Sequence, residues 1–192
     1  MRSRARLSAY IVLFMSALAG TGCAPVVIGG AAVAGSAAAQ ERGLGGAFRD
    51  TDIQARINHL WLQHSMDLYQ RLNMTVNEGK VLLTGRARNP EMRLDAVRLA
   101  WQADGVKEVI NEIEVDDKST ITDSARDTWI ATQLRTELLF NRNISSINYS
   151  IDTVNGVVYL MGFARNQAEL DRVTGYAREL PYVKRVVSYV RL

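Results

Sequence analysis

Cysteine is nearly absent from this chain, and its scarcity excludes much. The 192 residues hold one, Cys23, so no disulfide within the chain, no redox pair of thiols and no cysteine-based metal cluster can form. Histidine is almost as scarce. His59 and His64 stand five apart, whereas ligands on one helix face need a spacing of three or four, and no metal site is expected. No G-x-S-x-G turn frames a serine as a nucleophile, and the carboxylates are scattered among arginines as on a solvated surface. Neither a catalytic residue nor a cofactor is expected, which leaves binding, tethering or scaffolding.

A surplus of positive charge is also missing where it would matter. Of 23 basic residues against 20 acidic ones, Arg2, Arg4 and Arg6 precede Cys23 with no acid beside them, so the rest of the chain is balanced. Recognition of nucleic acid needs clustered surplus Lys and Arg, and no such partner is expected. Beyond Cys23 there is no long apolar run either. Ala24 to Ala39 falls short of the roughly 20 residues of a membrane span and is cut by Gly29, Gly30 and Gly35. Gly43-Leu44-Gly45-Gly46 lacks the following Lys-Ser/Thr of a phosphate loop.

What is present begins with an address. Three arginines, an apolar run from Leu7 to Ala19 and the small residues Gly20, Thr21 and Gly22 lead to Cys23. Residues 1–22 thus have the layout of a secretory signal peptide, and the small-small-cysteine order resembles a bacterial lipobox. That resemblance implies that the thiol of Cys23 is acylated and the chain cut just before it. Ala24 stands where an aspartate would favour inner-membrane retention, so delivery to the outer membrane, facing the periplasm, is the expectation. Residues 23–48 are rich in Ala and Gly and read as a tether with a reach of roughly 25–30 Å.

Everything after the tether occurs twice. Gly79-Lys80-Val81-Leu82-Leu83-Thr84-Gly85 aligns with Gly156-Val157-Val158-Tyr159-Leu160-Met161-Gly162 at an offset of 77 residues, which also pairs Asp50 with Asp127, Ile53 with Ile130 and Val109 with Val186. Two copies of one domain are implied, at 49–117 and 123–192. In each, Ile53, Ile57 and Leu60, or Ile130, Leu134 and Leu138, recur at helical spacing, with Asp50-Thr51 or Asp127-Thr128 as candidate N-caps. A hairpin follows, marked in the second copy by Asn155-Gly156. Asn89-Pro90 and Asn166 then open a second helix. A last strand carries Val109, Ile113 and Val115, or Val186, Val190 and Leu192. The expected fold is α+β, helix-strand-strand-helix-strand twice over, each copy a small mixed sheet packed by two helices.

That order, the G-x-V-x-L-x-G motif and the closing segments Gly105-Val106-Lys107-Glu108-Val109 and Tyr182-Val183-Lys184-Arg185-Val186 resemble the BON domain of bacterial periplasmic proteins. The whole layout resembles dual-BON outer-membrane lipoproteins. The resemblance implies a protein that binds anionic phospholipid through its second BON domain, supports outer-membrane integrity and concentrates at the division site.

The repeat acts as its own control for finding a site. Trp129 replaces Asp52, and on the second copy's first helix it shares a polar face with Thr132, Gln133 and Thr136. An exposed indole suits a membrane interface; the other reading is that it folds back on the first domain or the linker. Residues 41–117 carry 10 basic and 13 acidic side chains, and residues 123–192 carry 9 and 7, so only the second copy has the sign to approach anionic lipid. Arg135 is the candidate phosphate contact, with Lys184 and Arg185 as auxiliary cations. Trp61, aligned with the core position Leu138, reads as structural. The alternative partner is a set of outer-membrane assembly proteins onto which the tethered pair docks.

Overall fold

The computed structural model describes residues 43–118 and 120–192. The signal segment, Cys23 and the tether as far as residue 42 lie outside them.

In the first repeat, α1 (Gly43–His64) buries Ile53, Ile57 and Trp61, one residue every four, against a sheet. Trp61 has no exposed surface and its indole N–H donates to the Ala96 carbonyl at 3.2 Å. Ser65 breaks the helix and caps a short α2 (Met66–Arg71), which the sequence pattern did not reveal. Strands β1 (Leu72–Asn77) and β2 (Lys80–Ala87) form an antiparallel hairpin. Its turn residues Glu78 and Gly79 both have positive φ, 53° and 82°, as a tight two-residue hairpin turn requires. Asn89 caps α3 (Pro90–Ala100), its side chain accepting from the Met92 N–H at 2.8 Å. The chain returns as β3 (Glu108–Asn111) and β4 (Glu114–Val115), both parallel to β2 in one common register, with the interruption at Glu112-Ile113.

The second repeat follows the same plan: α4 (Ile121–Phe140), a 3₁₀ turn (Ser146–Asn148), β5 (Tyr149–Val154), β6 (Val157–Phe163), α5 (Gln167–Glu179) and β7 (Arg185–Arg191). Here the last strand is unbroken, and the sheet order is β5-β6-β7. Leu192 lies beyond it, exposed. The core on the helical side gathers Ile130, Leu134, Leu138, Val158, Leu160, Val173 and Ala177.

The helix starts differ from the sequence reading. Helix α1 already runs from Gly43, so the end of the tether segment is helical, and α4 is capped by Thr120 in a reciprocal box with Asp123. Asp50 and Asp127 are therefore not caps but buried residues inside their helices. Asp50 accepts the N–H groups of Glu78 and Gly79 at 2.8 and 3.0 Å, and Asp127 those of Asn155 and Gly156, both at 2.8 Å. Each carboxylate supplies acceptors that a tight turn cannot provide for itself.

The faces of the two sheets away from the helices meet. Leu82 and Ile110 of the first repeat pack with Val154, Val157, Tyr159, Met161, Val187 and Tyr189 of the second, and Leu82, Tyr159 and Met161 are buried. Polar pairs surround this layer: Thr84 donates to Asp152, Tyr189 to Glu112 and Asn155 to Glu114, and Arg191 pairs with Glu78. Burial, with Glu112 beside them, pushes the phenols of Tyr159 and Tyr189 up to about 12. Among the described residues no helix is long and apolar enough to cross a membrane.

Candidate functional site

The two repeats carry the same hollow at the same place, between the start of the long helix, the hairpin turn and the turn into the last strand. In the first it is lined by Arg49, Asp52, Gly79, Gly105 and Lys107, and has a volume of about 370 Å³. In the second the matching Arg126, Gly156, Tyr182 and Lys184 line one of about 250 Å³. The cationic pair persists, Arg49 with Lys107 and Arg126 with Lys184, while Asp52 becomes Trp129 and Gly105 becomes Tyr182.

The glycine-to-tyrosine exchange has a physical signature. Gly105 has φ of 95°, and Tyr182 keeps the left-handed conformation at 70°, which costs a non-glycine residue roughly 1–2 kcal/mol. The strained tyrosine is held at the surface, 63% exposed, edge-on to Trp129 with ring centroids 6.0 Å apart and planes at 80°. Arg126 lies over the Tyr182 ring at 5.6 Å. Strain of this kind persists where function supports it. The sequence shows Tyr182 only as the first residue of the closing segment, aligned with Gly105; its position opposite Trp129 follows from the fold.

Trp129 is 43% exposed and outside the hydrophobic core, with its ring edge-on to Tyr182. Thr132 and Thr136 are exposed beside it and Gln133 is half-buried, donating to Glu137 at 3.2 Å. The Thr136 hydroxyl donates back to the Thr132 carbonyl at 2.9 Å, and Thr128 does the same to Ser124. The hydroxyl protons of Thr128 and Thr136 are thus satisfied within the helix. The Trp129 face continues to Leu139 and Phe140, 67% and 79% exposed. Phe140 comes eleven residues after Trp129, three helical turns and about 16 Å along the same side. The sequence reading missed both, although the helical period from Trp129 points to Phe140.

The basic residues divide. Lys184 belongs to the hollow beside Tyr182. Arg185, its neighbour on a strand, takes the opposite face by alternation and lies near Tyr159. Arg135 sits about 120° around α4 from Trp129, and its guanidinium donates to the Ile151 carbonyl in a groove between the repeats. Arg135 and Arg185 are thus separated from the Trp129 face, while Arg126 joins it.

The BON domain model matches residues 49–117 and 126–192. The chain belongs to the BON family. Over 144 residues it is 46% identical to an "uncharacterized protein in gshII 5′ region" of Anaplasma centrale, covering 74% of this chain and 94% of that one. The outer membrane lipoprotein DolP of Haemophilus influenzae is 28% identical over 168 residues, 87% of this chain and 86% of its own. Another BON relative, osmotically-inducible protein Y of Escherichia coli, is 25% identical over 145 residues, 74% of this chain and 72% of its own.

Proposed function

We propose that this BON protein is an outer-membrane lipoprotein, anchored through acylated Cys23 and facing the periplasm, whose second BON domain binds anionic phospholipid and supports envelope integrity, with the division site as its place of action. It works by binding rather than catalysis. The observation that carries this reading is the strained, exposed Tyr182 edge-on to Trp129, present in the second repeat where the first has Gly105 and Asp52. Two amphipathic rings at one surface suit the depth of lipid head groups. Arg126 and Lys184 beside them carry the charge that attracts an anionic surface, and Phe140 extends the apolar stripe. The relationship to DolP, named as an outer-membrane lipoprotein, supports the location.

Vesicle co-sedimentation tests the reading. Wild-type protein is expected to bind phosphatidylglycerol vesicles over phosphatidylcholine ones, less so at high salt, and Trp129→Glu to lose this binding at unchanged thermal stability. Asp52→Ala, the matching position, should bind as wild type. Equal binding to both lipids, or full binding by Trp129→Glu, refutes it.

A further inference from the structure

Strand β7 pairs with β6 on one side, and among the described residues no strand lies on its other side. Its burial shows the consequence. Six of the seven residues of β6 are buried, whereas on β7 Val186, Val187, Tyr189 and Val190 are half-buried and Arg185, Ser188 and Arg191 are exposed. In a parallel pair, alternate residues turn their peptide groups toward the neighbouring strand. The Arg191 carbonyl accepts the Ala164 N–H at 2.7 Å, which puts Arg185, Val187, Tyr189 and Arg191 on the paired side. The peptide groups of Val186, Ser188 and Val190 therefore face outward. The Val190 N–H is met from within its own strand, by the Ser188 hydroxyl at 3.4 Å.

Two other edges are blunted. The last strand of the first repeat is broken between β3 and β4, where the Asn111 side chain takes the Ile113 N–H at 3.1 Å. On β5 the Arg135 guanidinium donates to the Ile151 carbonyl, and the Asp152 side chain takes the Thr153 N–H at 3.0 Å. Interruptions and charges of this kind keep an edge from pairing. Strand β7 has no break and no proline, and its sequence, Arg-Val-Val-Ser-Tyr-Val-Arg, is rich in strand formers.

The charges on β7 decide what pairs with it. Arg185 and Arg191 mark its two ends, with Lys184 just before. Arg191 already pairs with Glu78, which shows that a carboxylate fits at that end, and among the described residues Arg185 has no ion pair. A second copy laid in register would set arginine against arginine in either direction, and like charges opposed across strands repel. An acidic-ended strand meets no such barrier.

We propose that the free edge of β7 takes an added strand from another protein, an extended segment apolar in its middle with a carboxylate toward Arg185 and another toward Arg191. Main-chain hydrogen bonds to Val186, Ser188 and Val190 hold it, and side-chain contact with the half-buried valines and Tyr189 adds selectivity. The surface uses no residue of the Trp129 face, so this proposal and the lipid reading stand or fall separately.

The probe is a fluorescein-labelled peptide, Asp-Val-Thr-Val-Thr-Val-Asp, with a Lys-ended counterpart. Fluorescence anisotropy with full-length protein is expected to show saturable, salt-weakened binding of the Asp-ended peptide and about tenfold weaker binding of the Lys-ended one. Arg185→Glu should reverse that order. Ser188→Pro removes an outward N–H but no bond to β6, and should abolish binding of both peptides at an unchanged melting temperature. If Ser188→Pro proves unstable, Arg185→Glu carries the test together with amide hydrogen exchange. In wild-type protein the Val186 and Ser188 amides should exchange fast alone and slowly with the Asp-ended peptide, while those of Val187 and Tyr189 stay slow throughout. No saturable binding, equal binding of the two peptides, or unchanged exchange at Val186 and Ser188 overturns the proposal. Concentration-dependent dimerisation that protects the same two amides without peptide also overturns it, making a second copy the occupant.

Discussion

Asp127 and Gly156 are 29 residues apart in sequence and 2.8 Å apart at carboxylate oxygen and amide nitrogen. Asp50 and Gly79 repeat the spacing of 29 at 3.0 Å, so a helix clamps its own hairpin turn in each domain. In the second domain the same carboxylate also neutralises the mostly buried Arg86 of the first. Asp127→Ala therefore removes the acceptor of two backbone N–H groups and the counter-ion of a mostly buried cation, and is expected to cost about 3 kcal/mol in chemical denaturation. Arg86→Met added to it should restore part of that loss, because the stranded charge goes with it.

Gly162 and Gly85 occupy matching strand positions with φ of 141° and 110°. A β-carbon at Gly162 would lie well inside contact distance of the Asn148 carbonyl oxygen, and one at Gly85 would meet the Arg71 carbonyl oxygen at 2.5 Å. Both obstacles are backbone and cannot swing aside. Gly162→Val is expected to abolish cooperative melting of the second domain and Gly85→Val to destabilise the first, each read by thermal denaturation.

Glu169 has no exposed surface. Burial by itself pushes its carboxyl up, but the Ser145 N–H at 3.0 Å, Arg165 at 2.6 Å and the Tyr149 hydroxyl at 3.1 Å outweigh it and hold the group below its ordinary 4.5. A folded-state value below the unfolded one stabilises the protein fully above the ordinary carboxyl range, and that stabilisation is lost as pH falls through the lower value. Glu169→Gln should be less stable than wild type at neutral pH and show a shallower acid decline below about pH 4.5, measured as melting temperature against pH.

Phe140 is 79% exposed at the end of the Trp129 stripe. Phe140→Ser is expected to leave the melting temperature unchanged and to weaken binding to phosphatidylglycerol vesicles several-fold, since about 1.5–3 kcal/mol accompanies full burial of a large apolar side chain. Leu62→Ser, at an exposed apolar residue of the first domain, should change neither.

Tyr159 and Tyr189 titrate at about 12 because the meeting of the two sheets buries them. Leu82→Lys, which puts into that layer a cation that cannot stay buried and itself favours the phenolate, should return both phenols toward the ordinary value of 10, seen by ultraviolet absorption during an alkaline titration.

The duplication, the element order and the caps at Asn89 and Asn166 were legible because each depends on local chemistry or on register between copies. The clamps at Asp50 and Asp127 were not, since an aspartate near a helix start reads as a cap unless the position of the hairpin is known. Val81-Leu82-Leu83 and Val157-Val158-Tyr159-Leu160-Met161 did carry an unused signal. Strands apolar on consecutive positions are buried on both faces, which points to a second layer over each sheet. At the site, Trp129 was found by comparing repeats, but its pairing with Tyr182 and the departure of Arg135 into the groove depend on how α4 is rotated against two sheets.

The meeting of the two sheets also limits how far this architecture can grow. Tandem arrays lengthen because each added unit leaves a fresh face for the next. Here each copy covers the other's naked sheet and turns its helices outward, so the pair is self-terminating: a third copy appended to the chain would find no apolar sheet face on which to stack. The two helical exteriors lie outside that constraint, and on them Asp52 and Trp129 stand at matching positions.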